Sequence, residues 1–291
     1  MKKADIVVLY HAECPDGFAG SFAAWKKFGD KALYLPVYHN TSPPEEIYGK
    51  HVYTLDYSYE LSVVKEIIPK VKSLTIIDHH VSNIESVKIA GGVMDIDHSG
   101  GVLSWIFFHP DRKIPQLFKN IEDIDLWKFK LSYTNELAEI TALYPQDYKV
   151  WDKMVGEVET KDGLKKYVDE GKILLKKRDD LIKKIAAYAE VTEFEGYKCY
   201  MVNSPIYCSH IGNFLCKRKP PIAIVWSRRG GKIIVSLRSD GTADVSKIAK
   251  KYGGGGHKNA AGFSFEEAQF LRFKKPSHLR ESDLDLREVS S

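Results

Sequence analysis

Three short aliphatic or β-branched runs, Ile6 to Leu9, Val52 to Leu55 and Leu74 to Ile77, each stop beside a residue able to bind a metal ion. His11 lies just past the first, Asp56 follows the second, and Asp78, His79 and His80 follow the third. Apolar runs this short, bounded by polar residues, read as strands. Between them, Gly17 to Phe28 carries Phe18, Phe22 and Trp25 at helical spacing, and Tyr59 to Val71 carries Leu61, Val64, Ile67 and Ile68. Strands alternating with helices predict an α/β fold with a parallel sheet wrapped by helices. In such a sheet the carboxyl ends of the strands share one crevice, so ligands far apart in sequence meet there.

A different pattern begins further along. Leu164, Val168, Gly171, Leu175, Ile182, Ile185 and Ala189 predict one long helix. Lys198 to Val202 reads as a strand, and Ile222 to Trp226 and Ile233 to Leu237 flank Gly230-Gly231 as a hairpin. Ala243 to Tyr252 looks helical, Gly253 to Gly256 follow, and Ala261 to Phe265 closes a smaller α+β domain. The expected organisation is therefore a metal-binding catalytic domain over 1–160, a connecting helix over 161–190, a substrate-binding domain over 191–266, and a charged, mobile tail over 267–291.

Charge and cysteine content narrow the function. The 43 Lys and Arg against 39 Asp and Glu leave a net charge of +4, too little to hold a long polyanion non-specifically, so any nucleic acid partner is expected to be short. The linker from Lys161 to Lys184 alone carries that excess, and a solvated helix face accounts for it. Cys14, Cys199, Cys208 and Cys216 form no C-x-x-C pair, which argues against a zinc ribbon or disulfide framework and agrees with a reducing compartment. With no apolar run long enough to span a bilayer and no signal-peptide pattern, a cytoplasmic protein without membrane contact is expected.

The metal reading gains weight from its company. Asp-His-His alone is weak, but several acidic and imidazole groups gathered at neighbouring strand ends are costly to bury unless a cation neutralises them. Such a donor set suits Mn²⁺ or Mg²⁺ better than structural zinc. The first segment, Tyr10-His-Ala-Glu-Cys-Pro-Asp-Gly-Phe-Ala-Gly-Ser21, sets His11 and Asp16 on a strand-to-helix turn. The second is Thr54-Leu-Asp-Tyr57 and the third Ile76-Ile-Asp-His-His80. A fourth, Asn120-Ile-Glu-Asp-Ile-Asp-Leu-Trp127, offers Asp123 and Asp125. Ser99 is a candidate helix cap whose helix N-terminus faces the crevice. Trp127, Phe129 and Tyr133 are candidates to stack on bases, although aromatics at this spacing are more often core.

In this order the four segments resemble the DHH phosphoesterase superfamily, whose signature Asp78, His79 and His80 match. Ser236-Leu-Arg-Ser239, the glycine run ending in His257, and Ala260-Ala-Gly262 resemble its DHH-associated C-terminal domain. The resemblance spans roughly residues 5 to 265. It implies a phosphodiesterase with two ions, usually manganese with magnesium as the alternative. His11, Asp16, Asp56, His79 and Asp123 are the implied metal ligands, with Asp56 bridging and Asp123 preferred to Asp125. His80 would face the scissile phosphate, and Asp78 would orient the imidazoles. Arg238, His257 and the backbone of Gly254, Gly255 and Gly256 are expected to cradle a phosphate, and Ser99 is expected either to bind substrate at its helix N-terminus or to serve as a structural cap alone. One departure stands out: Cys14 occupies the place where the family usually has an aspartate.

The expected substrates are short single-stranded oligonucleotides or small nucleotide phosphoesters. Alternatives from the same sequence are a cyclic-dinucleotide or nucleotide 3′-phosphate hydrolase, a single-strand exonuclease, and a nucleotide-binding protein with a decayed centre. A homodimer is left open.

Overall fold

The computed structural model describes residues 4–38 and 41–267, so the tail expected from residue 267 lies almost wholly outside the described residues. The chain divides into two compact units at Leu175–Lys176.

In the first unit, β1 (Ile6–His11), β2 (Ala32–Val37), β3 (His51–Leu55), β4 (Ser73–Asp78) and β5 (Gly92–Met94) form one sheet in the order β2-β1-β3-β4-β5. Every pairing in it is parallel. Successive residues of a strand point to opposite faces, and here both faces are apolar, as a sheet covered on two sides requires. Val8, Leu55 and Ile77 pack with α1 (Pro15–Phe28), α4 (Gly100–Phe108), α5 (Gln116–Asp125) and α7 (Tyr148–Val158). Val7, Leu9, Val52 and Ile76 pack on the other face with α2 (Leu61–Ile67) and α3 (Ile84–Ala90). The helix α6 (Thr134–Leu143) completes this unit, and α8 (Lys161–Ala186) is the long helix expected from its periodicity, placed three residues earlier. The unit boundary falls inside α8.

The second unit is built on β6 (Glu190–Phe194), β7 (Tyr197–Asn203), β8 (Ile222–Arg229), β9 (Lys232–Ser239), β10 (Gly255–His257) and β11 (Ala260–Glu266), in the order β10-β11-β9-β8-β7-β6. Only β7 and β8 run parallel. One face packs Val235, Leu237 and Phe263 on α10 (Val245–Lys251), and the other packs Val202 and Val225 on α9 (Cys208–Arg218) and Ile182. The architecture is the expected one, a parallel α/β unit followed by a smaller α+β unit. The short edge strands β2, β5 and β6 were not legible in the apolar pattern, because edge strands are partly exposed and interrupted by polar residues or proline.

Candidate metal centre

The strand ends β1, β3 and β4 deliver His11, Asp56, and Asp78 with His79 and His80 to a single place. Close approach of two helices completes it. A Cβ on Gly17 would lie 2.4 Å from the His11 carbonyl oxygen, and one on Gly100 would lie 2.5 Å from the Asp56 Cβ, so α1 and α4 come this near only because those positions are glycine. Asp56 itself takes φ 54°, a left-handed conformation unfavourable for a residue with a side chain and one that concentrates at functional sites.

Three overlapping sets of donor atoms lie within 4.8 Å of one another: Asp56 with Asp78, His79 and His80; His11 with Cys14 and Asp56; and Asp16 with His79 and Asp125. His11 Nδ1 stands 3.3 Å from Asp56 Oδ2. His79 Nε2 stands 3.3 Å from Asp56 Oδ1 and 3.5 Å from Asp125 Oδ2. Although Asp56 Oδ1 and His79 Nε2 face each other at 3.3 Å, neither buried atom makes a hydrogen bond of good geometry. Buried polar atoms are rarely left in that state, and a bound cation is a standard reason for the exceptions.

The electrostatics agree. Burial pushes the Asp16 carboxyl well above its ordinary range, and the charges of Asp56 and Asp125 push it further. Burial and then Asp56 raise Asp125 to about 6. Burial opposes charge on Asp56 too, but contact with His11 and His79 outweighs it and holds that carboxyl low. Burial also opposes charge on His79, yet Asp56 and Asp125 raise it to about 9. These are carboxylates crowded into a water-poor space with too little positive charge between them. Their oxygen and imidazole donors fit a divalent cation of the Mg²⁺ or Mn²⁺ class. Cys14 ends the turn before α1, and burial followed by the three carboxylates keeps its thiol protonated well above the usual range.

The surrounding residues hold this set in place. Ser99 Oγ donates to Asp16 Oδ1 at 2.6 Å and the Gly101 amide donates to Asp16 Oδ2 at 3.1 Å, so the N-terminus of α4 fixes one ligand. Asp78 Oδ1 accepts from the His79 and His80 amides and pairs with His80 Nδ1 at 2.7 Å, while Asn83 Nδ2 donates to Asp78 Oδ2 at 2.6 Å. With Nδ1 engaged, Nε2 is the ring atom His80 can offer outward. His80 borders a cavity of about 680 Å³ whose wall includes Tyr57, Tyr59, Asn83, Glu66 and Lys70.

The structure places three of the expected site elements differently from the sequence reading. Asp123 does not face the cluster. Its carboxylate accepts from the Lys130 and Leu131 amides at 2.9 and 3.0 Å and from Thr134 Oγ1 at 2.5 Å, which uses it up locally. Two residues along a helix turn about 200°, so Asp125 meets His79 instead. Asp123 sits three residues from the equally buried Asn120, and that shared face is the signal that separates the two carboxylates. Ser99 is fully buried beneath Asp16 and cannot touch substrate; it caps α4 and positions a ligand.

The glycine run is also not a free cradle. The amides of Gly253 and Gly254 donate to Lys250 and Ala249 and close α10, and Gly255 to His257 form a strand paired with β11. Cβ atoms on Gly254 and Gly256 would meet Gly262 and Ala260 carbonyl oxygens at 2.1 and 2.6 Å, so those glycines serve sheet packing. Arg238 packs its stem over Gly212 and donates to Ser209 Oγ and the Leu237 carbonyl oxygen. Gly255, with open space at its Cα, and the exposed His257 are the members of the motif best able to meet a ligand.

Residues 204–276 match the DHHA1 domain family. The chain is 32% identical over 287 residues to uncharacterized protein R106 of Acanthamoeba polyphaga mimivirus, covering 89% of this chain and 67% of that protein. It is 24% identical over 219 residues to oligoribonuclease NrnB of Bacillus subtilis, covering 68% of this chain and 54% of that protein. The chain belongs to the DHH phosphoesterase superfamily. Fold likeness agrees: RecJ of Thermus thermophilus, solved in complex with Mn²⁺, superposes with a TM-score of 0.53 at 16% identity over 92% of this chain and 50% of that one. This chain carries the Asp-His-His signature at Asp78, His79 and His80, and Cys14 in the first segment. Among the described residues no helix is long and apolar enough to cross a membrane.

Proposed function

We propose that this DHH protein is a metal-dependent phosphodiesterase that hydrolyses short oligonucleotides or small nucleotide phosphoesters. The observation that carries the reading is the cluster of His11, Asp16, Asp56, His79 and Asp125, in which Asp16, Asp56 and His79 are buried and Asp56 Oδ1 and His79 Nε2 face each other without a well-formed hydrogen bond. Two divalent ions, with Mn²⁺ the first choice, would be held by these residues, Asp56 being common to two of the donor sets. When bound, such ions acidify water and stabilise charge on the non-bridging phosphate oxygens. The chain's own residues supply placement. Asp78 accepts from His80 Nδ1 and fixes the direction of the ring, so that Nε2 is presented to a scissile phosphate, to which it donates when the ring is the imidazolium. Ser99 and the Gly101 amide hold Asp16 in place beside His79 and Asp125.

The substrate class rests on three supports. Net charge is only +4, the cavity of about 680 Å³ beside His80 lies in the size range of small-molecule sites, and a relative carries the name oligoribonuclease. His257, Gly255 and Arg238 remain the proposed contacts of the C-terminal half. Hydrolysis of a dinucleotide and a 20-mer under the same Mn²⁺ concentration tests the proposal. The dinucleotide is expected to be cleaved at least as fast, and a strong preference for the 20-mer would overturn the short-substrate reading.

A further inference from the structure

Between α5 and α6 the backbone does something unusual. Trp127, Phe129 and Tyr133 all adopt left-handed conformations, with φ of 55°, 50° and 67°, a region that bulky residues avoid. Asp123 holds the segment in that shape. Its carbonyl oxygen accepts from the Lys128 and Phe129 amides, and its carboxylate accepts from Lys130, Leu131 and Thr134. Asn120 Nδ2 adds a bond to the Ser132 carbonyl oxygen at 3.0 Å. All this buried bonding turns apolar groups outward. Trp127, Phe129, Leu131 and Tyr133 are 43%, 37%, 41% and 45% exposed. The Trp127 and Phe129 rings meet edge to face at 4.8 Å, and the exposed Lys128 and Lys130 alternate with them.

A segment selected only to connect two helices would bury its aromatics or dispense with them. Holding them out on a strained, tightly bonded backbone is a preorganised arrangement. Aromatic faces interleaved with lysines match a single strand, whose bases stack while its phosphates seek cations. The segment also begins two residues after Asp125, so it continues directly from the metal centre. We propose that residues 127–133 form a stacking platform for the bases of a short single-stranded oligonucleotide, with Lys130 beside the adjoining phosphate and Asp123 as the positioning residue. This deepens the phosphodiesterase reading by assigning where the strand flanking the scissile phosphate is held.

Binding can be read apart from turnover with a fluorescein-labelled, nuclease-resistant pentanucleotide titrated into the full chain in EDTA. Trp127→Ala and Phe129→Ala are each expected to weaken its affinity roughly five- to a hundredfold. Trp127→Phe keeps a stacking face, so it should bind within about threefold of the parent while losing the quenching of tryptophan emission that Trp127 gives on stacking. Lys130→Ala should flatten the salt dependence by about one counterion. Unchanged affinity in both alanine variants, absence of the Trp127 quench, or a change in sedimentation without a change in binding would overturn the platform. Trp127-dependent binding by a chain that hydrolyses no phosphodiester would instead retain the platform and remove the enzyme reading.

Discussion

The two units of this chain handle buried polarity in opposite ways. Among the described residues, the buried side-chain atoms lacking a hydrogen-bond partner are Thr54 Oγ1, Asp56 Oδ1, Tyr59 Oη, His79 Nε2 and Trp151 Nε1, and all belong to the first unit. In the second, the groups expected to meet substrate are largely engaged by their own fold: Gly253 and Gly254 close a helix, and Arg238 binds Ser209. Histidine shows the same division. His79 is raised to about 9 among carboxylates, whereas burial and Arg178 lower His210 to about 4. Where unsatisfied buried atoms gather with carboxylates and imidazoles, as at Asp56 and His79, a group from outside completes them; where the fold satisfies them, the residues are scaffold first.

That contrast breaks most sharply at Asp56 and His79. Asp56→Asn and His79→Ala should each lower phosphodiester turnover by roughly a thousandfold or more, since removing a single preorganised electrostatic contact already costs a hundred- to a thousandfold. Metal analysis of the same variants should show fewer equivalents of Mn²⁺ retained, with circular dichroism unchanged. Parental rates in either variant would mean that the unpartnered atoms have no part in the chemistry.

The next effect separates two neighbouring carboxylates. Asp125→Asn should lose bound metal and roughly a hundredfold in turnover. Asp123→Ala should keep its metal equivalents but lose about 2–3 kcal/mol of stability, because the Lys130 and Leu131 amides and Thr134 lose their acceptor. Denaturant melts paired with metal analysis give both readouts. Metal loss confined to the Asp123 variant would reverse the assignment.

How much of this could be read beforehand depends on what kind of physics each residue obeys. The parallel core was legible because strands buried on both faces, such as Val7 to Leu9, must be continuously apolar. His11, Asp56 and His79 were legible because topology alone brings strand ends together. Asp123 and Asp125 could not be sorted by motif, since their difference is rotation about a helix and the fate of a loop seven residues away. Ser99 was readable as a cap, but its partner Asp16 lies 83 residues off and is set by tertiary packing. The glycine run misled for a related reason: glycine permits a phosphate nest and a close strand pairing equally well, and only the carbonyl oxygens opposite decide.

The smallest effect sharpens the comparison through acid stability of the second unit. His210 packs near Arg178 and Asp179 of α8 and Arg238 of β9; burial, then Arg178, lower its pKa from 6.5 to about 4, with Asp179 opposing. Because the folded value lies below the unfolded one, folding favours the neutral ring. Its contribution is complete above pH 6.5, is lost as pH falls toward about 4, and does not change further below that. The change is on the order of 1–2 kcal/mol once solvent screening is allowed for. Urea midpoints of the parent should therefore fall between pH 6.5 and 4.5 more steeply than those of His210→Gln, followed by Trp226 emission. Equal slopes would show that Arg178 and burial do not hold this ring neutral, and the second unit would lose its claim to be the half whose polar groups are settled from within.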